Sequence, residues 1–160
     1  MAGQEQPGKA GRQEIGRFTF TAQEIVRFAA AFDPQPFHLD AAAAQSSPFG
    51  GLVASGWHTV CVWMGLFVRA HGPATHALPP AHPAAIAPVG VGFGMTGLKW
   101  PAPVRAGDTI VFFTEILDMR PSGSRPGWSI LHRRNTAGRA DGTPVLAFEL
   151  KHMAPDGGGI

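Results

Sequence analysis

Asp33 and His38 place a carboxylate and an imidazole five positions apart in Ala31-Phe32-Asp33-Pro34-Gln35-Pro36-Phe37-His38-Leu39-Asp40. An imidazole titrates near neutral pH and suits proton transfer, and a nearby carboxylate can orient a water or the imidazole itself. Shortly downstream, Phe49-Gly50-Gly51-Leu52-Val53-Ala54-Ser55-Gly56-Trp57-His58 forms a glycine-rich approach to an apolar helix. The start of a helix offers free N–H groups and about half a positive charge, which suits a developing oxyanion. Gly56 has no side chain to block such an approach. Acid, base and helix start are the parts needed to add water to a carbonyl-conjugated carbon, or to remove it. Each residue also has a plainer use: Asp33 as a turn residue before proline, His38 as a buried structural histidine, and Gly56 as a packing glycine.

These groups need elements to hold them. Gly16–Phe20 alternates like a strand. Thr21 with Glu24 makes a capping box, and the helix that follows carries Ile25, Phe28, Ala29 and Phe32 at helical spacing. It ends at Asp33, because a residue before proline is pushed out of the α region. Pro34 and Pro36 bias Asp33 and Gln35 toward extended geometry, a rigid connector whose five residues would stretch about 17 Å. Asp33 and His38 therefore meet only if the loop bends back or a neighbouring element closes the gap. Asp40 is placed to cap a short turn at Ala41–Ala44. The long element Ser55–Arg69 has Trp57, Val60, Cys61, Met64, Phe67 and Val68 at helical spacing and is apolar nearly all round, which predicts a buried central helix. Gly72 and Pro73 end it. Residues 70–90, rich in proline and with three histidines, read as a long irregular loop. Strands follow at Val91–Trp100, Thr109–Leu117, Trp128–Asn135 and Pro144–His152, with turn chemistry at Ala106-Gly107-Asp108 and Asp141-Gly142. The order predicts an α+β fold, an antiparallel sheet wrapped around a long central helix. One domain over 14–153 is expected, flanked by disordered tails at 1–13 and 154–160.

Composition narrows the function. The 160 residues are 44% hydrophobic and 15% charged, against roughly 25% charged in an average domain. Low charge, with four Trp and eleven Phe, fits either surface covered by a partner subunit or a genome biased toward Ala, Gly and Pro. A net charge of +2 is a poor footprint for nucleic acid, which wants basic residues gathered on one face. The single cysteine, Cys61, excludes an intrachain disulfide and a multi-cysteine zinc site, and the loop histidines have no metal-ligand spacing. No apolar run approaches the roughly 20 residues of a membrane span, and the polar N-terminus has no signal-peptide core. A cytoplasmic protein is expected.

The segments Phe32–Asp40 and Phe49–His58 resemble the MaoC-like dehydratases, hot-dog-fold proteins related to the (R)-specific enoyl-CoA hydratases. Leu98-Lys99-Trp100-Pro101-Ala102-Pro103-Val104-Arg105-Ala106-Gly107-Asp108 looks like the same family's turn between later strands. The resemblance spans about residues 16–152. It implies a hot-dog homodimer with its site at the subunit interface, hydrating trans-2-enoyl thioesters or running the reverse dehydration. Asp33 and His38 would act on a water, and the Gly56 N–H would polarise the thioester carbonyl. Phe49, Ser55, Trp57 and His58 are candidate substrate-binding residues, although packing is the more natural use of Trp57. The substrate would be an acyl-CoA or acyl-carrier thioester, with coenzyme A as part of the substrate and no further cofactor or metal. Gln35 stands where the hydratases commonly have Asn, and the helix offers Cys61 and Met64 where they often carry a Ser. Lys99, Arg105, Arg133 and Arg134 are either phosphate contacts or solvated charges. A catalytically weak acyl-CoA-binding subunit and a hot-dog thioesterase are the alternatives.

Overall fold

The computed structural model describes residues 11–71 and 90–156. The expected 70–90 loop lies almost wholly outside the described residues, as do most of the two expected tails. The elements run β1 (Gln13–Thr19), α1 (Ala22–Phe32), α2 (Pro36–Leu39), α3 (Ala41–Gln45), α4 (Gly56–His71), β2 (Val91–Lys99), β3 (Thr109–Pro121), β4 (Trp128–Gly138) and β5 (Pro144–Pro155). The ordered fold thus begins earlier than Gly16 and runs past residue 153. The strands form one five-stranded antiparallel sheet in the order β1-β3-β4-β5-β2.

Local chemistry sets the element ends. The Thr21 hydroxyl accepts from Glu24 N–H at 3.2 Å and donates to the Glu24 carboxylate at 3.0 Å, closing the start of α1. Asp40 Oδ1 accepts from Ala43 N–H at 2.7 Å and caps α3, as its position predicts. Gly107 (φ 93°) and Gly142 (φ 89°) occupy left-handed turn positions that favour glycine. The turn before β3 is pinned by Arg139, whose guanidinium donates to Asp108 at 2.8 Å and also bonds the Pro103 carbonyl.

Helix α4 lies against the sheet. Trp63 is fully buried, edge-on to Phe148 of β5 at 4.7 Å and stacked near Phe67 at 5.1 Å. Phe20, Ile25, Ile110, Phe112 and Leu146 complete the same core. The sequence predicts a helix buried all round, and the structure corrects this. His58, Thr59, Val60, Trp63 and Phe67 are buried, whereas Trp57, Cys61, Met64 and Val68 form an exposed apolar stripe on another face. Phe32, predicted to face the core with Ile25 and Ala29, is 74% exposed and leans on Phe28 instead.

Candidate active site

The proline-stiffened connector is not extended. Pro36 begins the one-turn helix α2, with Gln35 as its N-cap. Proline is favoured at a first helical position, where its fixed φ suits the helix and its missing N–H costs nothing. Gln35 N–H donates to Asp33 O at 2.7 Å and His38 N–H to Gln35 O at 2.9 Å, so the chain doubles back. This turn brings His38 Nε2 to 3.3 Å from Asp33 Oδ2. His38 is buried, and its Nδ1 lies 2.7 Å from the Val53 carbonyl. A carbonyl only accepts, so Nδ1 carries a proton and Nε2 is the atom turned toward Asp33. In the neutral imidazole, Nε2 and Oδ2 are two acceptors 3.3 Å apart, too close for a water between them but placed so that a water on the cavity side can donate to either.

Asp33 is held ionised. Its pKa is lowered, first by the Gln35 amide, which donates to Oδ1 at 2.8 Å, then by the Ser55 hydroxyl, with a smaller part from His38; partial burial opposes them. Ser55 is itself buried and lies just before α4, with its Oγ accepting from Trp57 N–H at 3.2 Å. Its carbonyl accepts from His58 N–H at 3.0 Å. The first turn of a helix leaves its N–H groups without intrahelical partners. Ser55 occupies those of Trp57 and His58, and Gly56, which has only backbone to present, is among the residues bordering the open space. That space is a cavity of about 450 Å³ bounded by Asp33, His38, Phe49, Ser55, Gly56 and Trp57 on one side. Trp100, the Pro101–Val104 turn and Val145 form the other. A larger hollow of about 600 Å³ lies on the outer face of the sheet among Arg12, Glu14, Arg17, Glu115 and Arg134. Those side chains are occupied with ion pairs such as Arg17–Glu14 and Arg134–Glu115, and no acid–imidazole pair faces that hollow.

Comparison with known proteins bears on family and fold. Residues 4–126 match the MaoC like domain family. The chain belongs to the MaoC-like domain family. A MaoC-like dehydratase from Rhodospirillum rubrum is 38% identical, with a TM-score of 0.73 over 91% of this chain and 90% of that one. An (R)-hydratase from A. caviae involved in PHA biosynthesis shares the fold at 21% identity, with a TM-score of 0.68 over 96% of this chain and 100% of that one. Among curated sequences, the uncharacterized protein YdeM of Bacillus subtilis (strain 168) is 27% identical over 104 residues. The match spans 65% of this chain and 65% of YdeM, just under two thirds of that relative's length. The architecture is the hot-dog fold, with the sheet wrapped around α4.

In this MaoC-like domain, seven candidate positions were named from sequence, and six border the cavity: Asp33, His38, Gly56, Phe49, Ser55 and Trp57. His58 does not. It points into the core, stacked on Phe28 at 4.5 Å and edge-on to Phe20 at 5.0 Å, and burial pushes its pKa down to about 4. An imidazole one step along the helix from Trp57 faces away from it, which the spacing alone shows once one face is fixed. Arg133 is likewise no phosphate contact: it is buried and donates to His152 Nε2 at 3.1 Å. Arg134 faces Glu115 and Glu149. Thr59 and Trp100, which also line the cavity, are not among the site residues that the sequence offers. Thr59 donates its hydroxyl to the Gly56 carbonyl at 2.6 Å, and Trp100 donates its indole N–H to the same oxygen at 3.0 Å. The signal for Trp100 was its place directly before Pro101 in the turn that carries the family resemblance. Among the described residues, no three His, Cys, Asp or Glu side chains are grouped to hold a metal, and no helix is long and apolar enough to cross a membrane.

Proposed function

We propose that this protein hydrates a trans-2-enoyl thioester to a 3-hydroxyacyl thioester, or runs the reverse dehydration. The observation that carries the reading is the Asp33–His38 pair, 3.3 Å apart in a cavity that Gly56 also borders. A water on the cavity side of the Oδ2–Nε2 pair, within reach of both atoms, is oriented and partly deprotonated. Its oxygen attacks C3 of the conjugated thioester, and the electron pair moves through C2 onto the carbonyl oxygen. The Gly56 N–H and the positive end of α4 meet that charge as it forms. The acid–base pair removes one proton from the water, and one proton is returned at C2, so the net change is addition of H and OH across the double bond.

These steps need no metal or redox cofactor, and coenzyme A or an acyl carrier enters as part of the substrate. The working unit is a pair of chains, because the apolar stripe on α4 and the edge strand β2 are open in one copy.

Asp33→Asn and His38→Ala test the assignment, with crotonyl-CoA as substrate and loss of the conjugated thioester absorbance as readout. Each change should lower turnover by roughly two to four decades, the usual range for losing an acid–base group, with the circular dichroism spectrum unchanged. Parental rates in both variants would show that the pair does not act on water. Release of free thiol by the parent would mark thioester hydrolysis instead.

A further inference from the structure

Trp100 is not part of the acid–imidazole pair, yet it grips the backbone on which the oxyanion reading depends. Its indole N–H donates to the Gly56 carbonyl at 3.0 Å. The face of the ring fills the place where a side chain at position 56 would go: a Cβ built there would lie 2.5 Å from Cε2 and 2.7 Å from Cδ2 of Trp100. Such distances exclude any residue but glycine unless the indole moves. The Thr59 hydroxyl reaches the same carbonyl at 2.6 Å, so two side-chain donors fix one peptide oxygen.

We propose that Trp100 is a positioning residue for the addition of water. Its N–H holds the Gly56–Trp57 peptide and its ring walls the Gly56 Cα, and together they fix the Cα from which the Gly56 N–H, on the preceding Ser55–Gly56 peptide, is presented to the cavity. This rests on the reading of that N–H as the oxyanion donor. Simple packing is a poor account of Trp100. It remains 41% exposed, lines the cavity beside the helix start, and meets Trp57 edge-to-face, a ring itself 54% exposed. A large aromatic residue this open contributes less burial than a core tryptophan such as Trp63. What it supplies is a directed hydrogen bond and a steric wall at one peptide. Gly56 is therefore a glycine because an indole takes its side-chain space, with φ outside the left-handed region.

The test uses the full chain and two readouts. The first is steady-state hydration of crotonyl-CoA. The second is the ultraviolet absorbance of bound acetoacetyl-CoA, whose enolate forms by loss of a C2 proton and is favoured by any donor at the thioester oxygen, without addition of water. Trp100→Phe keeps an aromatic wall and loses the N–H donor. It should lower kcat by about 10- to 100-fold, the scale of a sub-ångström to 1 Å misplacement at a reacting centre. KM should stay within about twofold, and the enolate signal should fall. Gly56→Ala should lower both readouts and the melting temperature. Adding Trp100→Ala to Gly56→Ala should relieve the clash and restore the melting temperature without restoring kcat, a non-additivity expected only of residues in contact. Trp100→Phe with parental kcat and parental enolate signal would overturn the proposal, as would a loss confined to KM. If the parent enolises acetoacetyl-CoA and Trp100→Phe does not, while the parent hydrates no enoyl-CoA, the positioning role stands and the hydratase reading falls. A parent that does neither overturns both.

Discussion

Asp33 holds its charge chiefly through Gln35, two positions along the chain, and this makes the site testable one side chain at a time. The Gln35 amide is the largest influence lowering its pKa, ahead of the Ser55 hydroxyl and His38. Replacing Gln35 with Leu removes the 2.8 Å bond to Oδ1, so the Asp33 pKa should rise toward the ordinary value near 3.9. The carboxyl carbon shift of Asp33, followed by NMR from neutral to acid pH, reads this directly. The parent should titrate below the usual carboxylate range and the variant higher; identical curves would mean that the amide does not stabilise the anion. The linkage runs in the same sense. A carboxylate whose folded pKa is depressed adds stability above its unfolded pKa, and that stability is lost as pH falls through the folded value. The chemical types at this site were legible in the sequence, because an acid and an imidazole so close together have few shared uses. Their convergence was not. It depends on Pro36 starting a helical turn rather than extending a connector, and both uses satisfy a fixed φ. Ser55 illustrates a related blindness. The central helix has no Ser facing the acid, yet a hydroxyl reaches Asp33 from the residue just before that helix, a position that only the fold makes equivalent.

Helix α4 shows why periodicity alone misplaced some side chains. Both a face buried in its own chain and a face kept for another molecule are built from apolar residues, so Trp57, Cys61, Met64 and Val68 looked like core. The imidazole buried on the inner face is His58, which the sequence suggests as a pocket residue. Desolvation is the main cause of its low pKa, with Glu24 pulling the other way and Arg27 reinforcing it. His152, buried beside Arg133, is also pushed down to about 4 by burial first and then by Arg133 and His71. Both rings are neutral in the folded chain and take up a proton on unfolding below their ordinary value of 6.5. Stability from this source is complete above about 6.5 and is lost as pH falls toward about 4, because the unfolded chain binds more protons throughout that window. Each ring carries on the order of 1–3 kcal/mol of that dependence. His58→Leu removes one titrating group and also the buried Nδ1 that has no hydrogen-bond partner. The denaturant midpoint of the variant should therefore fall less steeply than the parent's between pH 6.5 and 4. Parallel slopes would show that His58 is not held neutral by the core.

At the scale of the whole molecule, the open faces are continuous. Strand β2 sits at one edge of the sheet, is exposed along most of its length, and has Lys99 as its only charged residue. Val91 is 47% exposed and Phe93 56%. Trp100 follows β2 directly and touches Trp57, the first member of the exposed stripe on α4. An unguarded apolar edge strand beside an apolar helix face invites pairing, since free N–H and C=O groups line its open side. The simplest closed solution is a twofold pair in which β2 adds to β2 of a second copy, because an isologous contact leaves no further edge of the same kind. The proposed site lies beside this surface, with Trp57 and Trp100 belonging to both. Phe93→Lys together with Met64→Lys puts charges of one sign on both copies across the seam that such a pair would bury. Light scattering after gel filtration at micromolar concentration should report twice the chain mass for the parent and the single-chain mass for the double variant. Hydration of crotonyl-CoA should fall with dimer mass, although neither changed residue borders the Asp33–His38 cavity. A parent that runs as a monomer at that concentration would separate the open faces from self-association. A monomeric variant with full turnover would show instead that each copy carries a complete site.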